Sequence, residues 1–552
     1  VESAGYSLGF VGYENLTGGS ANDIFAFIGS NKLSGPVAGG EGIDLLDYSA
    51  FDSGDGKGVT VNLEKGLASS IKNGAEKSVT GIENLTGSQF SDSLTGSSGA
   101  NMINGLAGDD TLIGLSGDDV YVFAAGYGND VVTEKDNEGT DTLDFSSLAE
   151  GLLFTVDEDG ITVGYNDNLL SYAGSSLENL IGGNGDDTFT ISGKGTLKGQ
   201  INGGAGNNTL DYSAYDAGDE TGVTVNLAEG SATGSGGFSN IQALIGSQFA
   251  DTLLGPDSGV VFLMIEANAG IIDNNFSFSA IENLIGGSDE DTLDYSSYSS
   301  GVTVDLSAGT ASGLDSISGI ENLTGSLFND NLTGDSGDNI LLGLKGNDIL
   351  TGLGGSDLYL FTDGDGQDTI VEIDETGADT VDFSAISQQM VFNFDNAGFA
   401  AVYGTNTVTY AGQFIEKLIS TSLDDSFYFR DTAVFGGIIE AGAGVDILDY
   451  SNYAKGINIS LHDGKATGTE GITGFENLVG SSYDDILTGD NHNNWIKGGA
   501  GNDVISGMGG DDTYYYTDGL GDDQINEAEG GGNDILDLKD LTGKLTFTFG
   551  LD

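Results

Sequence analysis

The sequence contains no cysteine, two prolines, one tryptophan and two histidines, and only 16 of its 552 residues are Lys or Arg. Without cysteine there is no disulfide framework, thiol nucleophile or thiolate-bound metal, and two histidines leave little for zinc binding or histidine-dependent catalysis. The formal net charge of −70 excludes a nucleic-acid partner, because too few cations are present to replace the counterions of a phosphate backbone. No apolar run is long enough to cross a bilayer, and an anionic membrane surface would repel the chain, so we expect no membrane insertion.

Acidic, small and aromatic residues are abundant instead. The chain holds 86 Asp and Glu, 93 Gly, 27 Phe and 21 Tyr, and 38% of its residues are apolar. This apolar content is enough to bury a core, so it predicts a folded chain rather than a disordered one. Such a chain must neutralise its own repulsion, which indicates a bound cation.

Internal repeats organise the chain. The phrase Leu-Asp-Tyr-Ser at 46–49 recurs at 210–213, 293–296 and 448–451. Both chain ends fall inside a repeat, which predicts a segment of a longer repetitive protein. The segments that we predict are the tail of a preceding repeat at 1–39, a long repeat at 40–203 with a dense glycine-aspartate block at 87–122, a short repeat at 204–286 without such a block, a long repeat at 287–441 with a block at 325–360, and a truncated repeat at 442–552 with a block at 480–515.

Short β-strands dominate the predicted secondary structure. Val59, Val61 and Leu63 alternate with polar residues, the period of a strand with one buried face, and glycine-rich turns separate such strands. We therefore predict an all-β fold, a parallel β-roll or β-helix solenoid with the dense blocks and intervening β-rich arms. An array of β-sandwiches, one per long repeat, is the alternative.

Tandem nonapeptides in the dense blocks carry the chemical signal. The nonapeptide at 105–113 is followed at once by another at 114–122, and the same pair stands at 343–360 and 498–515. Glycines at the first and fourth positions allow a tight turn with inward-pointing carbonyls, and the Asp at the sixth position adds a carboxylate. Ca²⁺ accepts about six to eight such oxygen ligands, whereas Mg²⁺ demands a stricter octahedron. A metal-free Gly/Asp turn is the alternative.

These nonapeptides resemble the RTX (repeats-in-toxin, hemolysin-type) calcium-binding repeats, whose consensus is Gly-Gly-x-Gly-x-Asp-x-U-x with U apolar. The resemblance implies multiple Ca²⁺ ions, each held between turns two repeats apart, so that Asp92 pairs with Asp110 and Asn101 with Asp119. Carried over by position, the implied metal ligands are Asp92, Asn101, Asp110, Asp119 and Asp130 in the first block, Asp330, Asn339, Asp348, Asp357 and Asp368 in the second, Asp485, Asn494, Asp503, Asp512 and Asp523 in the third, and Asp44 and Asp187 in isolated copies.

Three recurring sequence features are predicted to have structural roles rather than binding roles. The Asp of each Leu-Asp-Tyr-Ser phrase is predicted to be a strand-end or turn residue rather than a ligand. Asn84 and Asn322 lie in Asn-Leu-Thr sequons, but their recurrence within Glu-Asn-Leu favours stacking between coils over glycosylation. Alternating aromatics such as Tyr121 and Phe123 are predicted to form core rather than a sugar-binding stripe.

The acidic clusters recur with the repeat, whereas a catalytic site is a unique constellation, and no His-Glu-x-x-His motif is present. We therefore predict that the chain is not an enzyme. The resemblance implies export by type I secretion and a place at the cell surface or outside the cell, as an adhesin stalk, matrix filament or surface layer that folds and rigidifies on calcium binding.

Besides calcium ions, the expected partners are further copies of the chain, by end-to-end or lateral assembly, or a cell-surface or matrix polysaccharide. The alternatives are a calcium-binding C-terminal module of a secreted hydrolase or epimerase, and a self-assembling filament subunit.

Overall fold

The computed structural model describes residues 2–3, 6–7, 14–134, 139–373, 376–519, 521–527, 530–544, 546 and 548. Within these residues the chain consists of short strands and turns, with one 3-10 turn at Lys72–Gly74. In this described part no helix is long and apolar enough to cross a membrane. The chain forms two compact units, Val1–Asp257 with Asn268–Ile285, and Ser258–Ala267 with Gly286–Asp552.

Parallel pairing between residues one coil apart defines the solenoid. In the first dense block Leu85 lies opposite Ile103, and Leu94 lies opposite Leu112, so one coil takes 18 residues in both cases (103 − 85 and 112 − 94). Successive nonapeptides therefore alternate between two rows of parallel strands. The predicted all-β parallel solenoid is confirmed.

The first unit contains the two rows of strands, two smaller sheets and a terminal hairpin. The strands of one row are Ile24–Gly29, Leu45–Phe51, Asn84–Thr86, Met102–Asn104, Val120–Val122, Thr142–Asp144, Asn179–Ile181, Leu197–Asn202 and Ser235–Ser239. The strands of the other row are Thr60–Asn62, Leu67–Ala68, Ser93–Thr95, Thr111–Ile113, Asn129–Thr133, Leu153–Val156, Gly160–Tyr165, Asn168–Ala173, Thr188–Ile191, Thr209–Asp211, Ala243–Ile245, Ala269–Ile272 and Phe276–Ser279. The remaining strands are Thr224–Asn226, Ser231–Ala232, Thr252–Leu254 and Asn283–Ile285, then Leu16–Thr17, Val37–Ala38 and Val79–Thr80, and the hairpin Glu2–Ser3 with Tyr6–Ser7.

The second unit repeats this plan. The strands of one row are Val261–Glu266, Thr292–Asp294, Asn322–Thr324, Ile340–Leu342, Leu358–Leu360, Thr380–Asp382, Lys417–Ile419, Ile438–Glu440 and Gly471–Thr473. The strands of the other row are Thr303–Asp305, Thr310–Ala311, Asn331–Thr333, Ile349–Thr351, Gln367–Val371, Val391–Asp395, Gly398–Tyr403, Asn406–Tyr410, Ser426–Asp431, Ile447–Tyr453, Asn477–Val479, Trp495–Lys497, Thr513–Thr517 and Ile535–Asp540. The remaining strands are Ser316–Ser318 and a smaller sheet of Asn458–Ser460, Lys465–Ala466, Ile486–Thr488, Val504–Ser506 and Gln524–Ile525.

The arms are continuous with the rows. After the first block, the strands Leu153–Val156, Gly160–Tyr165 and Asn168–Ala173 form an antiparallel meander. Its outer strands nevertheless pair in parallel with the coils on either side, at Asn129–Thr133 and Thr188–Ile191. The chain thus leaves the coil and returns in the same direction.

The core lies between the rows. The apolar residue in the middle of each block strand is buried, including Leu94, Ile103 and Leu112, and each such side chain contributes roughly 1.5–3 kcal/mol by leaving water. Tyr121 and Phe123 are also buried, and Phe123 stacks on Phe145 of the arm at 4.6 Å between ring centroids. The prediction that these aromatics form core is confirmed.

The Leu-Asp-Tyr-Ser phrase ends a strand in two copies, at Asp211 and Asp294, and lies inside the longer strands Leu45–Phe51 and Ile447–Tyr453 in the other two. Asp47 Oδ1 accepts a 2.8 Å hydrogen bond from the backbone N–H of Ser49, and the hydroxyl of Tyr48 donates to the carbonyl oxygen of Ser69 at 2.5 Å. The predicted strand-end position holds in two of the four copies, and the local hydrogen bond from the N–H two residues on recurs in all four. In the same way Oδ1 of Asn84 accepts from the N–H of Met102 at 2.9 Å, which is the predicted stacking between coils.

Candidate metal centre

The sixth residue of each nonapeptide comes directly before a strand, and its side chain turns toward the neighbouring coil. In one row of the first block, the N–H of Asp92 donates to Oδ1 of Asp110 at 2.7 Å, and the N–H of Asp110 donates to Oδ1 of Asp130 at 2.9 Å. In the other row the N–H of Asn101 donates to Oδ1 of Asp119 at 2.7 Å. Each carboxylate therefore accepts from the coil before it.

The same chain of bonds occurs in the other two blocks. We call this series of side chains the carboxylate ladder. Its members in the second block are Asp330, Asn339, Asp348, Asp357 and Asp368, and in the third Asp485, Asn494, Asp503, Asp512 and Asp523. The structure thus brings together the residue pairs that the repeat spacing implied.

Eight ladder carboxylates have a buried oxygen without a partner. In each, Oδ1 accepts a backbone N–H while Oδ2 has no hydrogen-bond partner and almost no contact with solvent. These residues are Asp110, Asp119, Asp130, Asp348, Asp357, Asp368, Asp503 and Asp512. Glycine at the first position makes this burial possible, because a Cβ on Gly105 would lie 2.2 Å from Oδ2 of Asp110. Leaving an ionised carboxylate buried and unpaired is strongly unfavourable, so these sites require a proton or a cation.

Burial changes the acidity of these groups. It raises the pKa of Asp110 and Asp119 to about 7 and the pKa of Asp130 and Asp348 to about 8, with neighbouring carboxylates adding to the shift. Near neutral pH the sites are therefore poised between protonation and cation binding. Carboxylate oxygens beside turn carbonyls form a hard donor set, which suits Ca²⁺ better than a transition metal.

A carboxylate triad closes each block. Asp119, Glu134 and Asp141 offer oxygens that lie within 4.8 Å of one another, as do Asp357, Glu372 and Asp379, and Asp512, Glu527 and Asp534. Oε2 of Glu134 is buried without a partner, while its other oxygen accepts from the Tyr121 hydroxyl. Burial raises the pKa of Glu134 to about 7. The first two triads are buried or half-buried and form compact, hard anionic sites suited to a divalent cation, whereas Glu527 and Asp534 of the third are exposed.

The repeat spacing did not predict the second and third residue of each triad, such as Glu134 and Asp141. The coil from Asp119 to Asp141 takes 22 residues (141 − 119) instead of 18, so a fixed period misses Asp141. The usable signal is the Gly-x-Asp that precedes the next strand, at 139–141, 377–379 and 532–534.

The recurring Glu of Glu-Asn-Leu also has a ladder role that was not predicted. Oε2 of Glu83 accepts from the N–H of Asp44 at 2.8 Å, and Oε2 of Glu476 accepts from the N–H of Asp446 in the same way. Asp44, in an isolated copy, has a buried and unpartnered Oδ2, and so has Asp446, which was not singled out. Asp187 differs, because its two oxygens accept from Leu152 and Gly183, both at 2.7 Å.

Comparison with known proteins bears on these turns. The family described as the RTX calcium-binding nonapeptide repeat (4 copies) matches residues 86–121, 200–214, 318–359, 470–496 and 488–525. The chain carries RTX calcium-binding repeats. The matched RTX segments contain the ladder positions of all three dense blocks except Asp130 and Asp368.

Two further comparisons, with solved structures and with curated proteins, carry no argument about this chain. The extracellular lipase LipA from Serratia marcescens is similar at 15% identity and a TM-score of 0.16, over 58% of this chain and 38% of the lipase. The match thus spans well under half of the lipase, and a TM-score this low carries no argument. None of the curated proteins matches the chain.

A single Gly-x-Ser-x-Gly pattern stands at 5–9. A nucleophile elbow of this pattern needs a strand-to-helix turn. Ser7 instead lies in the two-residue antiparallel strand Tyr6–Ser7, and the rest of the pattern falls outside the described residues.

Proposed function

We propose that this chain is a non-enzymatic, calcium-binding repeat segment of a secreted bacterial cell-surface or extracellular structural protein, which folds and becomes rigid when it meets calcium after export. The observation that carries the proposal is the carboxylate ladder, in which eight buried carboxylates each have an oxygen without a partner.

The electrostatics of the ladder supports a calcium-dependent fold. At neutral pH the neighbouring carboxylates repel one another, and the net charge of −70 adds repulsion over the whole chain. A divalent cation between adjacent coils offsets the local repulsion, and each bound ion lowers the net negative charge of the chain by two. Because the sites do not exist in the unfolded chain, the free energy of binding becomes free energy of folding.

The affinity range of known extracellular calcium modules supports a location outside the cell. Extracellular calcium modules bind on the order of 10⁻⁴–10⁻³ M, which millimolar calcium fills and a calcium-poor cytosol leaves empty. A chain that stays extended by self-repulsion inside the cell is suited to export before it folds. The absence of cysteine is compatible with this route, because calcium rather than disulfides holds the coils.

A calcium titration tests the proposal. We expect chelator-treated chain to gain β-structure by far-UV circular dichroism, and to contract in small-angle scattering, when calcium is added but not when magnesium is added. The Asp110→Asn variant shifts the calcium midpoint upward, whereas Asp167→Asn, at an exposed turn, leaves it unchanged. A chain that is equally folded in chelator and in calcium at neutral pH would overturn the proposal.

The non-enzymatic part has its own test. We expect the calcium-loaded chain to leave ester, glycoside and peptide substrates unchanged over a long incubation. Turnover that disappears on unfolding would instead place the chain with secreted hydrolases.

A further inference from the structure

The first ladder position of each dense block is bonded differently from those that follow. Oδ1 of Asp92 accepts from the N–H of Val59 at 2.5 Å and from the Ser88 hydroxyl at 2.8 Å, and Oδ2 accepts from the N–H of Ser88 at 2.5 Å. Three protein donors thus point at this carboxylate, which has room for about four hydrogen bonds. Asp110, one coil later, has no donor at Oδ2.

The equivalent positions in the other blocks repeat the arrangement. Oδ1 of Asp330 accepts from Val302 N–H at 2.7 Å and from the Ser326 hydroxyl at 2.8 Å, and Oδ2 accepts from Ser326 N–H at 2.5 Å. Asp485 accepts from Ile457 N–H at 2.9 Å and from the hydroxyl and N–H of Ser481 at 2.8 and 2.6 Å. The shared sequence is Gly-Ser-x-aromatic-x-Asp, at 87–92, 325–330 and 480–485.

The second ladder position of each block is closed by an amide. Asn101 donates from Nδ2 to the carbonyl oxygen of Glu83 at 2.6 Å and accepts at Oδ1 from Ser97 N–H at 2.7 Å. Asn339 and Asn494 make the same pair of bonds. We call Asp92, Asn101, Asp330, Asn339, Asp485 and Asn494 the closed positions, and the eight carboxylates with an unpartnered Oδ2 the open positions.

Backbone geometry separates the two classes independently. In the open turns the second and fourth residues have positive φ, for example +71° at Leu106 and +125° at Gly108, and +65° at Leu344 and +151° at Gly346. In the closed turns the residues at those places, such as Ser88 and Phe90, are not among the described residues with positive φ. Five of the eight open turns hold a Leu or Met at positive φ in the second position, which costs about 1–2 kcal/mol, and the other three have glycine there.

From these observations we propose that calcium binding in each block begins only after the closed positions, where serine hydroxyl, backbone N–H and asparagine amide groups take the place of the cation. The inference rests on the proposed calcium-binding function and refines it, because six of the positions that the repeat pattern assigns to metal are then metal-free. A cation at Asp92 would have to displace three donors whose hydrogens point at the carboxylate, and such bonds to a charged group contribute about 1.5–3 kcal/mol each.

This arrangement gives each block a start that forms without calcium. The closed coil presents the N–H groups of Asp92 and Asn101 to the carboxylates of Asp110 and Asp119. The closed coil therefore provides a folded strand edge on which the first calcium-dependent coil can form. The same hydroxyl closure occurs at Asp251 and Asp425 in the arms, where Ser247 and Thr421 donate.

Counting ions in matched variants of the full chain tests the proposal. One variant carries Asp92→Asn, Asp330→Asn and Asp485→Asn, and the other carries Asp110→Asn, Asp348→Asn and Asp503→Asn. Folding of each at saturating calcium is first checked by circular dichroism, and bound calcium is then measured by equilibrium dialysis with elemental analysis. We expect the closed-position variant to bind as many ions as the unmodified chain, and the open-position variant to lose at least one ion per substitution.

A gain-of-site variant gives a second readout that does not depend on a lost residue. Ser88→Gly with Phe90→Gly turns 87–92 into the full Gly-Gly-x-Gly-x-Asp consensus and removes the hydroxyl. We expect one additional calcium ion per chain. An unchanged count in this variant, or equal losses in the two triple variants, would overturn the inference while leaving the proposed function intact; an unmodified chain that binds no calcium would overturn both.

Discussion

Gly128 faces the carbonyl oxygen of Gly108 one coil away, so closely that a Cβ on Gly128 would lie 1.7 Å from that oxygen. Gly126, two residues earlier, has similar backbone geometry, with φ of +82° against +91°, but no atom within 4 Å of its Cβ position. Substituting each glycine in turn therefore distinguishes the free-energy cost of backbone strain from the cost of a steric clash with the neighbouring coil.

We expect Gly126→Ala to lower the free energy of unfolding by about 1 kcal/mol, through strain alone. Gly128→Ala should cost several times more, because the coil must also move away from Gly108. Urea denaturation at saturating calcium measures both values. Equal losses would mean that the coils can separate at this corner without penalty.

The pH dependence of the calcium-free chain should run opposite to that of most proteins. Burial raises the pKa of Asp110 to about 7 and the pKa of Asp130 and Asp348 to about 8, against about 3.9 in the unfolded chain. Between these limits the folded chain binds more protons than the unfolded one. The free energy of unfolding therefore falls as pH rises from about 4 to 8, by about 1.4 kcal/mol per pH unit for each proton held only by the folded state.

Thermal melts in chelator at several pH values measure this effect, and we expect the highest melting temperature near the acid end of that window. With saturating calcium the trend should reverse at low pH, because protons then compete with the ion for the same oxygens. A melting temperature in chelator that rises from pH 5 to pH 8 would contradict the prediction.

Glu134 is expected to contribute to the last calcium site of the first block. Its Oε2 is buried and unpartnered, and its oxygens lie near those of Asp119 and Asp141. Glu134→Gln removes one charge from the triad, so we expect calcium affinity at this site to fall about tenfold, since affinity follows the number of charged ligands. Isothermal titration against Glu158→Gln, an exposed control, measures the loss; matching isotherms would exclude Glu134 as a ligand.

Asn84 and Asn322 should stabilise the stack through their side-chain amides. Oδ1 of each accepts an N–H from the coil that follows, at 2.9 Å, from Met102 and Ile340 respectively. Replacing either by Ala should cost about 1 kcal/mol, the usual value of such a bond. Asn275→Ala, at an exposed turn, is the control, and an equal effect there would show that the inter-coil bond contributes nothing.

Repetition made the architecture predictable. The 18-residue spacing of Leu94 and Leu112 predicts stacked coils, and Asp110 directly before a strand predicts a carboxylate at the coil corner. Both follow from local sequence, because each coil packs only on its neighbours.

The parts that could not be predicted depend on departures from that period. Asp141 was missed because its coil takes 22 residues, and the roles of Glu83 and Glu134 were missed because their partners lie on other coils. Ser88 and Phe90 stand where the repeat consensus has glycine, and the hydrogen bonds that they make could not be predicted from the sequence because these bonds need the folded backbone. The five-segment division and the individual calcium ligands remain predictions.

Polarity is a further consequence of the ladder. Every ladder bond runs from an amide of one coil to a carboxylate of the next, so the two faces of a coil differ: one presents hydrogen-bond donors and the other presents negative charge. A contact that extends the ladder must therefore join unlike faces, since like faces would set carboxylate against carboxylate or N–H against N–H. Any contact that extends the ladder between molecules is heterologous, and it can grow without closing into a symmetric pair.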